Sequence, residues 1–315
     1  MISSTPCFTS GANARGTTRA VDKPFSAELG CVTPVIVVPG PWSKGDIEYQ
    51  ARHVASMITQ NASFNCNAAK VIIVAREWLQ KDAFFEAVKQ ALSRTPPRKA
   101  YYPGAAERWS AFKKQYPGAV VVGTEVDGAV PWTVIERLDG NDYALTHEAF
   151  CGVVAEVQLD APDYVGAHPA RFLERAVAFA NEKCWGTLSC AVLIHPHTEE
   201  AHQEAFAHAI RDLRYGGIGI NAFPGAIYAL ASPTWGAFPG HNPNSIGSGM
   251  GVVHNAWMFD HPEKSVLRMP FRIRPKPAWF SDHKNLVDLG RKLVAHEANP
   301  SWVTFLRVVA AAIRG

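Results

Sequence analysis

Cys66 stands between two asparagines, in Asn61-Ala-Ser-Phe-Asn-Cys66-Asn-Ala-Ala-Lys70, just ahead of the apolar run Val71–Val74. That is a polar, turn-forming place for a thiol. A thiolate is a strong nucleophile, and it leaves readily from an acylated intermediate. Taken alone, a free cysteine also reads as a small core hydrophobe. Glu28 lies in Phe25-Ser-Ala-Glu28-Leu-Gly-Cys31-Val-Thr-Pro34, directly before a second apolar run. A carboxylate there is usually a surface or capping group. A thiol and a carboxylate near the ends of adjacent strands would meet at one edge of a parallel sheet, the kind of place where α/β proteins bind ligands.

The elements that would hold them alternate along the chain. Residues 34–38 are a short apolar run ended by Pro39-Gly40, which fits a buried parallel strand. Ile47, Ala51, Val54, Ala55 and Ile58 recur at helical spacing, with Asp46 in the first turn. Residues 71–74 form the next strand, and a helix follows through Phe84 and Leu92 to Pro96-Pro97. Strands follow at 120–122, 153–159, 190–194 and 218–220. Helices are predicted at 169–183, from an N-cap at Thr198 to Arg214, and at 302–313. Between 231 and 301, where Gly, Pro, Asn and Trp are frequent, long loops are expected. Continuous apolar strands alternating with helices argue an α/β fold, three layers deep, with a mostly parallel sheet and flanking helices.

Composition narrows the class. The apolar share is 47% and the charged share 19%, which excludes a disordered chain. Net charge is +3 with the charges scattered, so nucleic acid and membrane are not expected partners. No run is long enough to span a bilayer, and the first sixteen residues lack a secretory pattern. Six cysteines (Cys7, Cys31, Cys66, Cys151, Cys184, Cys190) without a CxxC read as reduced thiols of a cytoplasmic protein. His195, His197, His202 and His208 do not share a helix face, so no metal is expected. Lys264, Arg268, Arg272, Arg274 and Lys276 read as a solvated basic loop.

Glu28-Leu-Gly, the strand after it, a helix, and Asn-Cys66 before a second strand resemble the two signature segments of the aldehyde dehydrogenase superfamily. The resemblance continues in order: Glu148-Ala-Phe150-Cys-Gly-Val, Ala176 to Asn181, Trp185-Gly-Thr-Leu-Ser, Gly217-Ile-Gly-Ile-Asn221, Trp235-Gly236, and Ser248-Gly-Met-Gly251. It implies an aldehyde-dehydrogenase-like catalytic domain that oxidises an aldehyde to a carboxylic acid with NAD or NADP. Cys66 would form a thiohemiacetal and then a thioester, with its backbone N–H as half of an oxyanion hole. Glu28 would activate the hydrolytic water. Glu148 would hold the nicotinamide-side ribose and Phe150 would pack on the ring. A small-molecule aldehyde substrate and a homo-oligomer are implied with them.

The sequence departs from the family at Cys31, where Gly or Asn is usual, and at Cys151-Gly152 in place of Gly-Pro. Residues 1–24 are also too few to encode the dinucleotide-binding half that precedes the Glu segment in the family. The expected division is therefore a remnant of that half over 1–30, a catalytic domain over 31–255, and a C-terminal extension over 256–315 packing on the core or on a partner. Two other readings stand beside the dehydrogenase: a truncated, non-catalytic fragment or assembly module, and a cofactor-independent Cys/Glu esterase.

Overall fold

The computed structural model describes residues 25–138, 142–163 and 166–315. Of the remnant expected over residues 1–30, residues 1–24 lie outside them. From β1 (Ala27–Glu28) and β2 (Thr33–Val37) the chain runs through α1 (Lys44–Thr59) to β3 (Ala69–Ala75). Then come α2 (Lys81–Ser93), α3 (Ala105–Gln115), β4 (Val120–Val122), β5 (Trp132–Ile135), α4 (Tyr143–Thr146) and β6 (Val153–Leu159). Next are β7 (Pro162–Asp163), β8 (Gly166–Ala167), α5 (Pro169–Lys183), β9 (Ser189–Leu193), α6 (Pro196–Ala201), α7 (Gln203–Asp212) and β10 (Gly217–Ile220). The chain ends with α8 (Gly225–Leu230), β11 (Gly249–Met250), β12 (Ser265–Arg268), α9 (Leu286–Ala298) and α10 (Trp302–Ile313).

Eight strands form one sheet in the order β12-β10-β9-β2-β3-β6-β5-β4. Every pairing is parallel except β4 against β5, at one edge. All residues of β2, β3 and β9 are buried. Strands covered on both faces need continuous apolar sequence, which is what residues 33–37 and 69–75 supply. Helices α1 and α2 pack on each other, as do α5 and α7. Five described cysteines are free thiols. No helix among the described residues is long and apolar enough to cross a membrane.

Two expectations are corrected. The helix placed from Thr198 to Arg214 starts three residues earlier and is two helices. His195 is the N-cap, its ring accepting the His197 N–H at 3.2 Å, and Pro196 follows at a first-turn position that needs no donor. At His202 the backbone leaves the helical region (φ −132°, ψ 36°), which separates α6 from α7. The long loops expected over 231–301 contain β12 and α9. Leu286, Leu289 and Leu293 have helical spacing, but only Leu289 is buried, so the periodicity marks a helix with little core behind it.

Residues 271–283 lie along α1. Gln50 donates to the Phe271 carbonyl at 2.5 Å, Ile273 N–H donates to the Tyr49 hydroxyl at 3.0 Å, and Ser281 N–H donates to the Ser56 hydroxyl at 2.8 Å. Phe280 stacks on the buried His53 ring, the two near-parallel at 10° with centroids 5.4 Å apart. Twelve of the sixteen α1 residues are buried as a result of packing on both sides.

Candidate active site

The sheet order brings the three acidic and thiol groups together. Glu28 precedes β2, Cys66 precedes β3 and Glu148 precedes β6, and these three strands are consecutive neighbours. Strands lie about 4.8 Å apart, so the loops entering them share one edge. That edge is the amino end of the parallel strands, opposite the carboxyl end where open α/β sheets usually bind ligands.

Glu28 is pinned from distant parts of the chain. β1 pairs antiparallel with β11, with Glu28 opposite Gly249. A Cβ at Gly249 would stand 2.1 Å from the Ala27 carbonyl oxygen, and its φ is +126°, so both space and backbone call for glycine. Ser248 accepts the Thr187 N–H and donates to the Gly30 carbonyl, each at 2.8 Å. The fully buried Trp235 indole donates to Glu28 Oε1 at 3.1 Å, fixing the carboxylate.

Cys66 is presented by a strained turn. Asn61, Ala62 and Ser63 all have positive φ, 51°, 56° and 69°. The left-handed region costs a non-glycine residue roughly 1–2 kcal/mol, so the turn needs support. Phe64 is buried beneath it. Lys70 Nζ donates to the Ser63 hydroxyl at 2.6 Å, and the Asn61 amide reaches the Phe64 carbonyl at 3.3 Å and the Asn65 side chain at 3.2 Å.

The third loop is held by two cations. Lys70 Nζ donates to the Cys151 carbonyl at 2.9 Å. Arg108, from α3, donates to the carbonyls of Ala149 at 3.0 Å and Phe150 at 3.2 Å. Three successive carbonyls are thereby satisfied around Phe150, whose φ is +41°. The Phe150 ring packs against Tyr102 and Phe64, with centroids 4.8 and 6.0 Å apart. Glu148 folds inward over Gly30, where an added Cβ would lie 1.8 Å from its Oε2. Its Oε1 is buried without a hydrogen-bond partner.

Electrostatics couple the three groups. Burial pushes the Cys66 thiol far up, and the charge of Glu28, a hydrogen bond from the thiol to Glu28, and the charge of Glu148 push it further. Burial also raises Glu148, against Lys70, the Cys31 N–H and Arg108. Burial lowers Lys70, while Cys151 and Glu148 hold it up. Burial and the neighbouring carboxylates thus favour the thiol over the thiolate at Cys66. Cys31, Cys151, Cys184 and Cys190 are buried, whereas Cys66 is partly open, and burial raises Cys31 and Cys151 to about 11.

The structure therefore brings Glu28, Cys66, Glu148 and Phe150 to one edge. Sequence reasoning missed Lys70 and Arg108 and gave no role to Trp235 and Ser248, although the last two lie in quoted motif segments. Asn221, also in such a segment, bridges strand ends through Ile194: its side chain accepts the Ile194 N–H at 2.8 Å and donates to the Ile194 carbonyl at 3.0 Å. Among the described residues no group of three or more His, Cys, Asp or Glu is placed to hold a metal ion.

No protein-family model and no curated protein matches the sequence. Solved structures do match. The γ-glutamyl-γ-aminobutyraldehyde dehydrogenase of Burkholderia cenocepacia has 22% identity and a TM-score of 0.55 over 73% of this chain and 43% of its own. An NAD-dependent aldehyde dehydrogenase of Sinorhizobium meliloti has 19% identity and a TM-score of 0.56 over 76% and 44%. Aldehyde dehydrogenase 21 of Physcomitrella patens, solved with the reaction product succinate, has 17% identity and a TM-score of 0.57 over 75% and 45%. The match spans less than half the length of each of these relatives. The described residues adopt part of the aldehyde dehydrogenase fold, resembling its catalytic domain.

Proposed function

We propose that this chain is the catalytic part of an NAD(P)-dependent aldehyde dehydrogenase, with Cys66 as nucleophile and Glu28 as general base. The observation that carries the reading is that Cys66 and Glu28, the latter fixed by Trp235, come to the same end of the adjacent strands β3 and β2. Cys66 attacks a carbonyl carbon as the thiolate, its proton released to solvent, and the S–C bond forms as the carbonyl oxygen becomes an oxyanion. The oxyanion takes a proton from solvent to give the thiohemiacetal. In the acylated state Glu28 takes a proton from water, the hydroxide adds to the thioester carbon, and the C–S bond breaks to release the acid. The Cys66 N–H supplies one donor to the developing oxyanion.

Glu148 and Phe150 fit the ribose and ring of a nicotinamide nucleotide. The orphaned Oε1 of Glu148 is a buried acceptor awaiting hydroxyl donors, and Phe150 offers an aromatic surface beside it. The bound nucleotide would accept the hydride from the substrate carbon. One ribose contact does not offset the loss of ligand freedom, so cofactor binding needs surfaces beyond those described here.

A Cys/Glu esterase is the second reading, because the thiol–carboxylate pair is complete without a nucleotide. The test uses purified chain with an activated ester and, separately, with an aldehyde and NAD+ or NADP+. An acyl group on Cys66 that accumulates in Glu28→Gln supports the shared nucleophile and base. Reduced nucleotide formed from aldehyde supports the dehydrogenase. Ester turnover unaffected by Cys66→Ala would end both readings.

A further inference from the structure

The C-terminal hairpin exposes an apolar face of unusual composition. Helices α9 and α10 pack antiparallel, tied at one end by His296 to Thr304 at 2.8 Å and at the other by the Asn285 amide donating to the Ala311 carbonyl at 3.1 Å. Only Leu289 and Ala311 of the two helices are buried. On α10, Trp302, Leu306 and Ile313 are 80%, 61% and 61% exposed. With Val303 and Ala310 they fall on one side of the helix, by the 3.6-residue period. On α9, Val287 and Val294 are 70% and 69% exposed and lie seven residues apart. The apolar stripe of each helix therefore faces outward.

Charge identifies what this face suits. Residues 284–315 hold five Lys and Arg (Lys284, Arg291, Lys292, Arg307, Arg314) against two acids, Asp288 and Glu297. This excess of three equals the formal charge of the whole chain, so the remaining residues are balanced. Asp288 is already matched by Lys292 at 2.5 Å. α10 contains no acid, and the exposed Arg307 within it and Arg314 at its C-cap, seven residues apart, border the apolar stripe.

We infer that the hairpin docks on an anionic lipid surface, laying the Trp302–Leu306–Ile313 stripe into the headgroup boundary with Arg307 and Arg314 at the phosphates. An exposed apolar stripe flanked by arginines and carrying a tryptophan is the composition of an interfacial helix. A second copy of the chain suits the face less well. Two-fold pairing through this stripe would bring the bordering arginines of both copies together, with no acid on α10 to meet them. The scattered charges of the chain as a whole gave no sign of such a surface; their local excess does.

Vesicle flotation of the 315-residue chain tests the inference, with phosphatidylcholine alone and with phosphatidylglycerol added. Flotation with the anionic vesicles is expected, declining as salt rises. Trp302→Ala and Leu306→Ala should each weaken partitioning about tenfold, and removing Arg307 or Arg314 as Gln about fivefold each on anionic vesicles. These side chains are exposed, so circular dichroism and thermal unfolding should be unchanged, which separates lost docking from lost folding. No flotation at low salt, or flotation indifferent to Leu306→Asp, would overturn the inference. A dimer that Leu306→Asp converts to monomer, with no vesicle binding, would assign the face to a second copy instead.

Discussion

The Lys70 ammonium lies 2.9 Å from the Cys151 carbonyl oxygen, and the same nitrogen lies 2.6 Å from the Ser63 hydroxyl. A single buried charge thus ties the turn that presents Cys66 to the loop that carries Glu148 and Phe150. Lys70 is only 3% exposed, so removing it leaves two buried acceptors rather than returning them to water.

Lys70→Met should therefore destabilise the chain by about 2 kcal/mol or more, the loss expected for hydrogen bonds to a charged group. Denaturant unfolding measures this. The left-handed turn at Asn61–Ser63 loses its main prop at the same time, so the alkylation rate of Cys66 should change several-fold. Wild-type stability and wild-type alkylation together would show that Lys70 props neither loop.

The Cys66 thiol is raised by burial first and by Glu28 and Glu148 after it. A raised thiol reacts as thiolate only at high pH, so mass-mapped alkylation of Cys66 should still be increasing above pH ~9. Glu28→Gln removes one negative charge, which favours the thiol form. The profile should shift to lower pH. A shift in the opposite direction would mean that the carboxylate promotes ionisation of the thiol. Cys66 should label ahead of Cys31, Cys151, Cys184 and Cys190, because they are buried.

Gly30→Ala tests the inward position of Glu148. The new Cβ would overlap Glu148 Oε2, the mobile end of a side chain, so the carboxylate should swing away at a stability cost of about 1 kcal/mol. Its charge would then leave Cys66, and the alkylation profile should move to lower pH, by less than in Glu28→Gln because Glu148 is the weaker influence. An unchanged profile would place the Glu148 charge elsewhere.

His53, buried against Phe280 of the 271–283 segment, should set part of the acid limb of stability. Burial pushes its folded-state value down to about 3, while an unfolded histidine titrates near 6.5. Below ~6.5 the unfolded chain binds a proton that the folded chain does not, so stability falls as pH drops, by about 1.4 kcal/mol per unit until the folded value is reached. His53→Phe should preserve stacking on Phe280 and flatten that part of the acid limb between pH ~6 and ~4. Equal slopes in both proteins would show that His53 does not control it.

The sheet and the principal site groups were legible because their signals are local. Residues 33–37 and 69–75 need only a continuous apolar run to be read as buried strands, and Glu28, Cys66 and Glu148 lie in short segments with recognisable neighbours. Lys70 was not legible. A lysine opening an apolar strand reads as a snorkelling surface charge, and its burial appears only when β6 and the Ser63 turn close around it. Arg108 sits in a helix with no motif, and its acceptors are carbonyls, which sequence does not distinguish. Helix α9 escaped because most of its apolar residues face outward, and Gly290 interrupts its propensity. The His195 N-cap escaped because Thr198 is the commoner cap type.

The Trp235–Glu28 hydrogen bond spans 207 positions of sequence. Contacts between such distant positions carry a large loop-closure cost and tend to be made late in folding. The carboxylate is therefore oriented only after the segments near 187, 235 and 248 have come together, although Glu28 itself is made early. A partly folded chain could have β2 and β3 paired and Cys66 in place, yet leave the Glu28 carboxylate unoriented beside it. Chemical competence should appear in refolding as a late event, behind the burial of the central strands.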